Sequence, residues 1–124
     1  MSVRARWLFG LAAAANFAVA AWLGLTRGLF VALLDLDPIT GTNAVLADLA
    51  AVLIASFGYG YLRIALDPVR FRPLIHVGAL GKLAAVAAVF TAALTLPHLW
   101  RLFALVGGDV VFAILFLDYL RRTS

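Results

Sequence analysis

Residues 77–90 read VGALGKLAAVAAVF, apolar throughout except for Lys82, the only lysine in the chain. Extended in both directions, the run continues over 74–96 without another formally charged residue. That exceeds the roughly 20 residues a helix needs to cross a hydrocarbon core. Three further segments have the same character. Residues 7–25 carry no charge; 44–66 hold Asp48 near the start and Arg63 near the end; 99–120 hold Asp109 near the middle. Backbone polar groups in lipid must be satisfied within the segment, and the runs lack the alternation of barrel strands. The expected fold is therefore all-α: one domain over 1–124, a polytopic membrane protein with four transmembrane helices in an antiparallel bundle.

Composition agrees. The 124 residues are 65% hydrophobic and 13% charged, against about 45–50% and 25% in soluble domains, and mean hydropathy is +1.06. A formal charge of +4 raises the question of nucleic acid. The basic residues instead flank apolar runs and lack the interleaved aromatics of a soluble basic surface, so no nucleic-acid partner is expected. Cysteine is absent, which removes disulfides, thiolate metal sites and thiol redox chemistry. Glutamate is absent too, so there is no membrane glutamate for proton-coupled export.

Arg4, Arg6, Arg63, Arg70, Arg72, Arg121 and Arg122 fall on one side of the expected bundle and only Arg27 and Arg101 on the other. Positive charge is retained inside, so both termini are expected in the cytoplasm, with the chain multi-pass in the cell inner membrane. Arg4, Arg6 and the small residues Ala18-Val19-Ala20 also fit a cleavable signal peptide. The apolar run continues through Trp22, Leu23 and Leu25, longer than a signal core, which favours an uncleaved first helix. Asp37-Pro38, Gly41, Asp67-Pro68, Arg72-Pro73 and Pro97 supply the turns. GLFVALLDL (28–36) is too short to span and is expected at the interface as a helical turn or re-entrant piece.

Depth follows from a rise of about 1.5 Å per residue. Lys82 lies roughly 12 Å from the cytoplasmic end, Asn16 roughly 14, Ser56 roughly 15, Asp109 roughly 16 and Tyr59 roughly 10. Every helix thus offers a polar group to one layer. A lone lysine or aspartate at a helix centre costs about 2.5–3.5 kcal/mol. A Lys82–Asp109 pair removes both penalties, with Asn16 and Tyr59 or Ser56 as supporting partners and Gly78, Gly81, Gly107 and Gly108 making room. Such a pair serves a ligand or ion, or fixes helix register; the alternative is a lysine that snorkels to the headgroups. Asp48 lies outside this layer and is expected to pair with Arg101 at the outer rim. His76 and His98 sit at opposite edges and cannot share a metal. FGYGY (57–61) resembles a potassium filter only superficially; small–aromatic alternation in helix packing accounts for it.

FGYGYLRIALDPVRFRPLIHVGALGKL (57–83) and GGDVVFAILFLDYL (107–120) carry a resemblance to a group of uncharacterised small four-helix membrane proteins of bacteria. In layout the chain is more loosely similar to DoxX-like proteins. The resemblance implies a four-helix membrane fold and no particular activity. The residues offer no nucleophile–base pair, metal cluster or phosphate loop, so no catalytic residue, metal or cofactor is assigned. Two functions fit: a polar pocket that binds or passes a small amphipathic molecule or ion, or an accessory subunit of a homo-oligomer or larger membrane complex. The small-residue stretches Ala12 to Ala15 and Ala84 to Ala88 suit either.

Overall fold

A computed structural model describes residues 3–123. Among them the chain forms α1 (Val3–Leu25), α2 (Arg27–Leu33), α3 (Thr42–Leu66), α4 (Arg72–Thr95) and α5 (Trp100–Arg122), with a 3₁₀ turn at Pro97–Leu99 joining the last two. Four helices are long and apolar enough to span a membrane. At 1.5 Å per residue each is about 35 Å long, longer than a hydrocarbon core of about 30 Å. The helices α1 and α4 accordingly begin before their apolar runs do, with Arg4, Arg6 and Arg72 in their first turns. Pro73 fits at the second position of α4, where a proline removes no helical hydrogen bond.

The segment after α1 forms the seven-residue α2, and Phe30 and Leu34 pack it against Leu23 of α1 and Ala51 of α3. Asp35 stops it in the left-handed region at φ 54°, the usual geometry just past a helix end. Gly41, at φ 60°, turns the chain into α3, a conformation any side chain would strain.

Two hairpin-like pairs build the bundle. α1 packs along α3 and α4 along α5, while α3–α4 and α1–α5 meet over shorter stretches. Small residues bring α1 and α3 together. A Cβ on Gly58 would stand 3.2 Å from Asn16 Cβ and Phe17 Cε1, and one on Gly24 3.3 Å from Ala51. Between α3 and α4 the device is ring on glycine. Tyr61 covers Gly78, where a Cβ would come within 2.6 Å of its Cε1, and Phe57 covers Gly81.

The buried side chains form two separate clusters. The inner one gathers Phe9, Tyr61, Ile64, Ile75 and Phe116 around Ala5, Ala12, Ala13 and Ala79. The rings of Phe9 and Phe116 meet at 4.8 Å, tilted by 33°, and Tyr61 meets Phe116 edge-on at 5.3 Å. The outer cluster holds Leu23, Phe30, Leu34 and Ala51, with Leu102 and Leu105 of α5 against it. Arg72 ties the inner ends together by donating to Leu120 O at 2.8 Å, which satisfies a last-turn carbonyl of α5.

Two outcomes test this architecture. Gly78→Ala must displace the Tyr61 ring and is expected to destabilise the protein by about 1–3 kcal/mol. Gly107→Ala meets nothing within 4 Å and is expected to be neutral or to stabilise by up to about 1 kcal/mol; denaturant titration in detergent micelles compares them. For orientation, single cysteines placed in this cysteine-free chain report sidedness. Thr40→Cys is expected to react with an impermeant maleimide on intact cells, and Val69→Cys only after lysis; the reverse pattern would invert the topology.

Candidate functional site

Between the two apolar clusters lies a polar layer. Asn16 falls on α1 between Ala13 and Val19, Lys82 on α4 just beyond Ala79, and Asp109 on α5 between Leu105 and Phe112. Lys82 is 4% exposed, and its Nζ donates to Asp109 Oδ1 at 2.8 Å. It donates also to Asn16 Oδ1 at 3.3 Å. The amide of Asn16 is oriented by its other end, Nδ2 donating to Ile54 O of α3 at 3.0 Å. Gly58 admits Asn16 to that carbonyl, because α1 crosses α3 at this glycine. The ammonium also lies 5.0 Å from the centre of the Tyr61 ring and 5.2 Å from that of Phe112, within cation–π range. Two acceptors and two ring faces from three helices, α1, α3 and α5, thus replace the water that Lys82 gave up.

Asp109 is treated differently. Its side chain is 31% exposed, and among the described residues its one hydrogen bond is the one from Lys82. The adjoining Gly107 and Gly108 face open space, with nothing within 4 Å of where a Cβ would be. Their expected role in close helix approach is therefore corrected: Gly78 and Gly81 serve that purpose, against aromatic rings rather than against α5.

Two other expected partners need correction. Tyr59 is 58% exposed and points away from the layer; the tyrosine at Lys82 is Tyr61. Depth places both within reach, but at 100° per residue positions 59 and 61 face nearly opposite ways. The i, i+4 set of Phe57 and Tyr61, continued by buried Ile64, marks the face that meets α4. Ser56 returns its hydroxyl to Val52 O at 2.8 Å and does not reach Lys82. It lines instead an open apolar groove between α3 and α4, about 210 Å³, with Phe57, Gly60, Tyr61, Leu74 and Val77. Phe112 was legible as the i+3 neighbour of Asp109, with Phe116 one turn on.

At the outer rim Asp48 pairs with Arg27 rather than with Arg101. The start of α2 delivers Arg27 to α3 directly, whereas Arg101 donates to Leu33 O at the end of α2, at 3.2 Å. His98 Nε2 lies 3.8 Å from Asp37 Oδ2; His76 is exposed at the inner end. Among the described residues no group of histidine, aspartate or glutamate side chains is placed to hold a metal.

No family model, curated protein or solved structure matches the chain, and the site is interpreted from its own geometry.

The pair makes a directional prediction. Lys82→Met leaves Asp109 unpaired in the bundle and is expected to cost about 3–5 kcal/mol, less whatever water at its exposed edge recovers. The double variant Lys82→Met with Asp109→Leu removes both charges and is expected to recover most of that loss. Unfolding midpoints in detergent measure both; a double variant no better than the single would dissolve the coupling.

Proposed function

We propose that this multi-pass membrane protein resides in a bacterial inner membrane and binds or passes a small amphipathic molecule or ion at Asp109, with Lys82 holding the carboxylate in place. The observation that carries the reading is the asymmetry of the pair. Lys82 is buried and fully engaged, whereas Asp109 keeps an open edge beside two glycines at mid-span. A carboxylate facing hydrocarbon is costly, and an incoming hydrogen-bond donor or cation offsets that cost. Tyr61, which shields Lys82, also lines an apolar groove between α3 and α4 whose walls do not include Asp109.

A second reading rests on α4. Ala84, Ala85, Ala87 and Ala88 are exposed, and small residues permit another helix to approach. In that case the chain is an accessory or assembly subunit, and the ion pair sets register.

The test is mass spectrometry of small molecules and lipids retained by the purified protein. Asp109→Asn keeps the shape of the side chain while removing its charge. The pocket reading expects a co-purifying molecule that is lost from this variant while helix content and monodispersity persist. Equal retention by Asp109→Asn would sink it. A wild-type chain that is unstable unless another membrane subunit is co-expressed would favour the accessory role.

A further inference from the structure

Most arginines of the chain have a local anion or carbonyl. Arg27 pairs with Asp48, Arg72 donates to Leu120 O and Thr123, Arg101 to Leu33 O, and Arg121 and Arg122 pair with Asp118. Arg4, Arg6, Arg63 and Arg70 have none among the described residues, and of these Arg63 and Arg70 share an aromatic ring. Arg63 stands in the last turn of α3 and Arg70 in the link to α4, and both guanidinium carbons lie over the same ring, Phe71, at 5.0 and 5.4 Å from its centre. The two like charges are thus held within about 10 Å of each other, with no hydrogen bond from either guanidinium to a described residue. The one carboxylate of this link, Asp67, accepts the backbone N–H of Arg70 on Oδ1 at 3.1 Å and forms no ion pair with either guanidinium.

The platform is built, not incidental. Phe71 packs against the inner apolar cluster, and Pro68 beside it is among the fully buried side chains. Phe71 is also the residue that precedes α4, and it supplies no side-chain cap. The uncapped first turn of α4 therefore adds the positive end of a helix dipole to the same corner. A ring that fixes two guanidiniums lowers the ordering cost of binding, and guanidiniums without an acceptor among the described residues offer charge-assisted hydrogen bonds to phosphate oxygens. The corner lies at a helix end, where headgroup phosphates reside.

We infer that Arg63, Arg70 and Phe71 form a binding site for the phosphate of an anionic phospholipid headgroup. The site is independent of Asp109 and of the orientation of the bundle. Native mass spectrometry of the full-length protein in detergent, titrated with phosphatidylglycerol or phosphatidylcholine, tests it. The wild type is expected to retain phosphatidylglycerol selectively, and Arg63→Gln with Arg70→Gln to weaken that retention roughly tenfold. Phe71→Leu keeps both charges and removes the platform, and is expected to lose most of the selectivity with helix content unchanged. Arg4→Gln with Arg6→Gln removes the same charge elsewhere and is expected to leave retention intact. Equal weakening by the Arg4 and Arg6 variant, or full retention by Phe71→Leu, would overturn the site in favour of diffuse charge attraction. Inorganic phosphate at millimolar concentration that displaces the lipid completely would overturn the lipid assignment in favour of free phosphate.

Discussion

A single ammonium group that has left water organises the centre of this bundle. Lys82 lies too deep and too enclosed for its head to reach the headgroups, so its charge has to be met by protein. Asp109 from α5, Asn16 from α1 and the rings of Tyr61 and Phe112 do so. α1 and α4 make no close backbone approach to each other, yet the Lys82–Asn16 bond joins them across the interior. The polar layer therefore couples two hairpins that are otherwise in contact over short stretches. In a bilayer this matters more than it would in water, because lipid chains are as apolar as leucine and give helices little reason to associate.

Packing around the layer follows from the same constraint. With no hydrophobic drive between helices, association depends on close fit, and the chain achieves it in two ways. Glycines bring backbones together where α1 crosses α3, and aromatic rings seated on glycines join α3 to α4. The rings serve twice, since Tyr61 both fills the space over Gly78 and shields Lys82. Replacing it with an aliphatic residue would preserve volume but not the π face that the ammonium uses.

Most of the fold could be read from hydropathy, because runs of apolar residues in lipid have one solution. The layer was legible as well: one rise per residue gives depth, and depth alone brings Lys82, Asp109 and Asn16 to one level. What depth leaves open is rotation about the helix axis. A helix apolar on every side has no amphipathic stripe to show which face is inward, so Tyr59 and Tyr61 were indistinguishable by level. The spacing of Phe57, Tyr61 and Ile64 held the information. Lateral distance is hidden in the same way. Asp48 and Arg101 stand at one level, but α2 brings Arg27 nearer, and nothing in the hydropathy of a seven-residue helix announces where it will lean.

A further regularity separates the groups that hold the fold from those left to act. Thr26, Ser56, Thr91, Thr95 and Thr123 all return their hydroxyls to carbonyls three or four residues earlier on their own chain. Asn16 links Lys82 to the Ile54 carbonyl, Lys82 meets two acceptors and two rings, and Asp67 accepts the N–H of Arg70 within its turn. Such groups are engaged by partners that the chain itself provides. Against them stand the open edge of Asp109 and the two guanidiniums on Phe71, polar groups held in place by their neighbours yet not saturated by them. In water such groups would simply be hydrated. At mid-bilayer and at the headgroup boundary water is scarcer, and an unsaturated, prepositioned charge there costs more than it would in water.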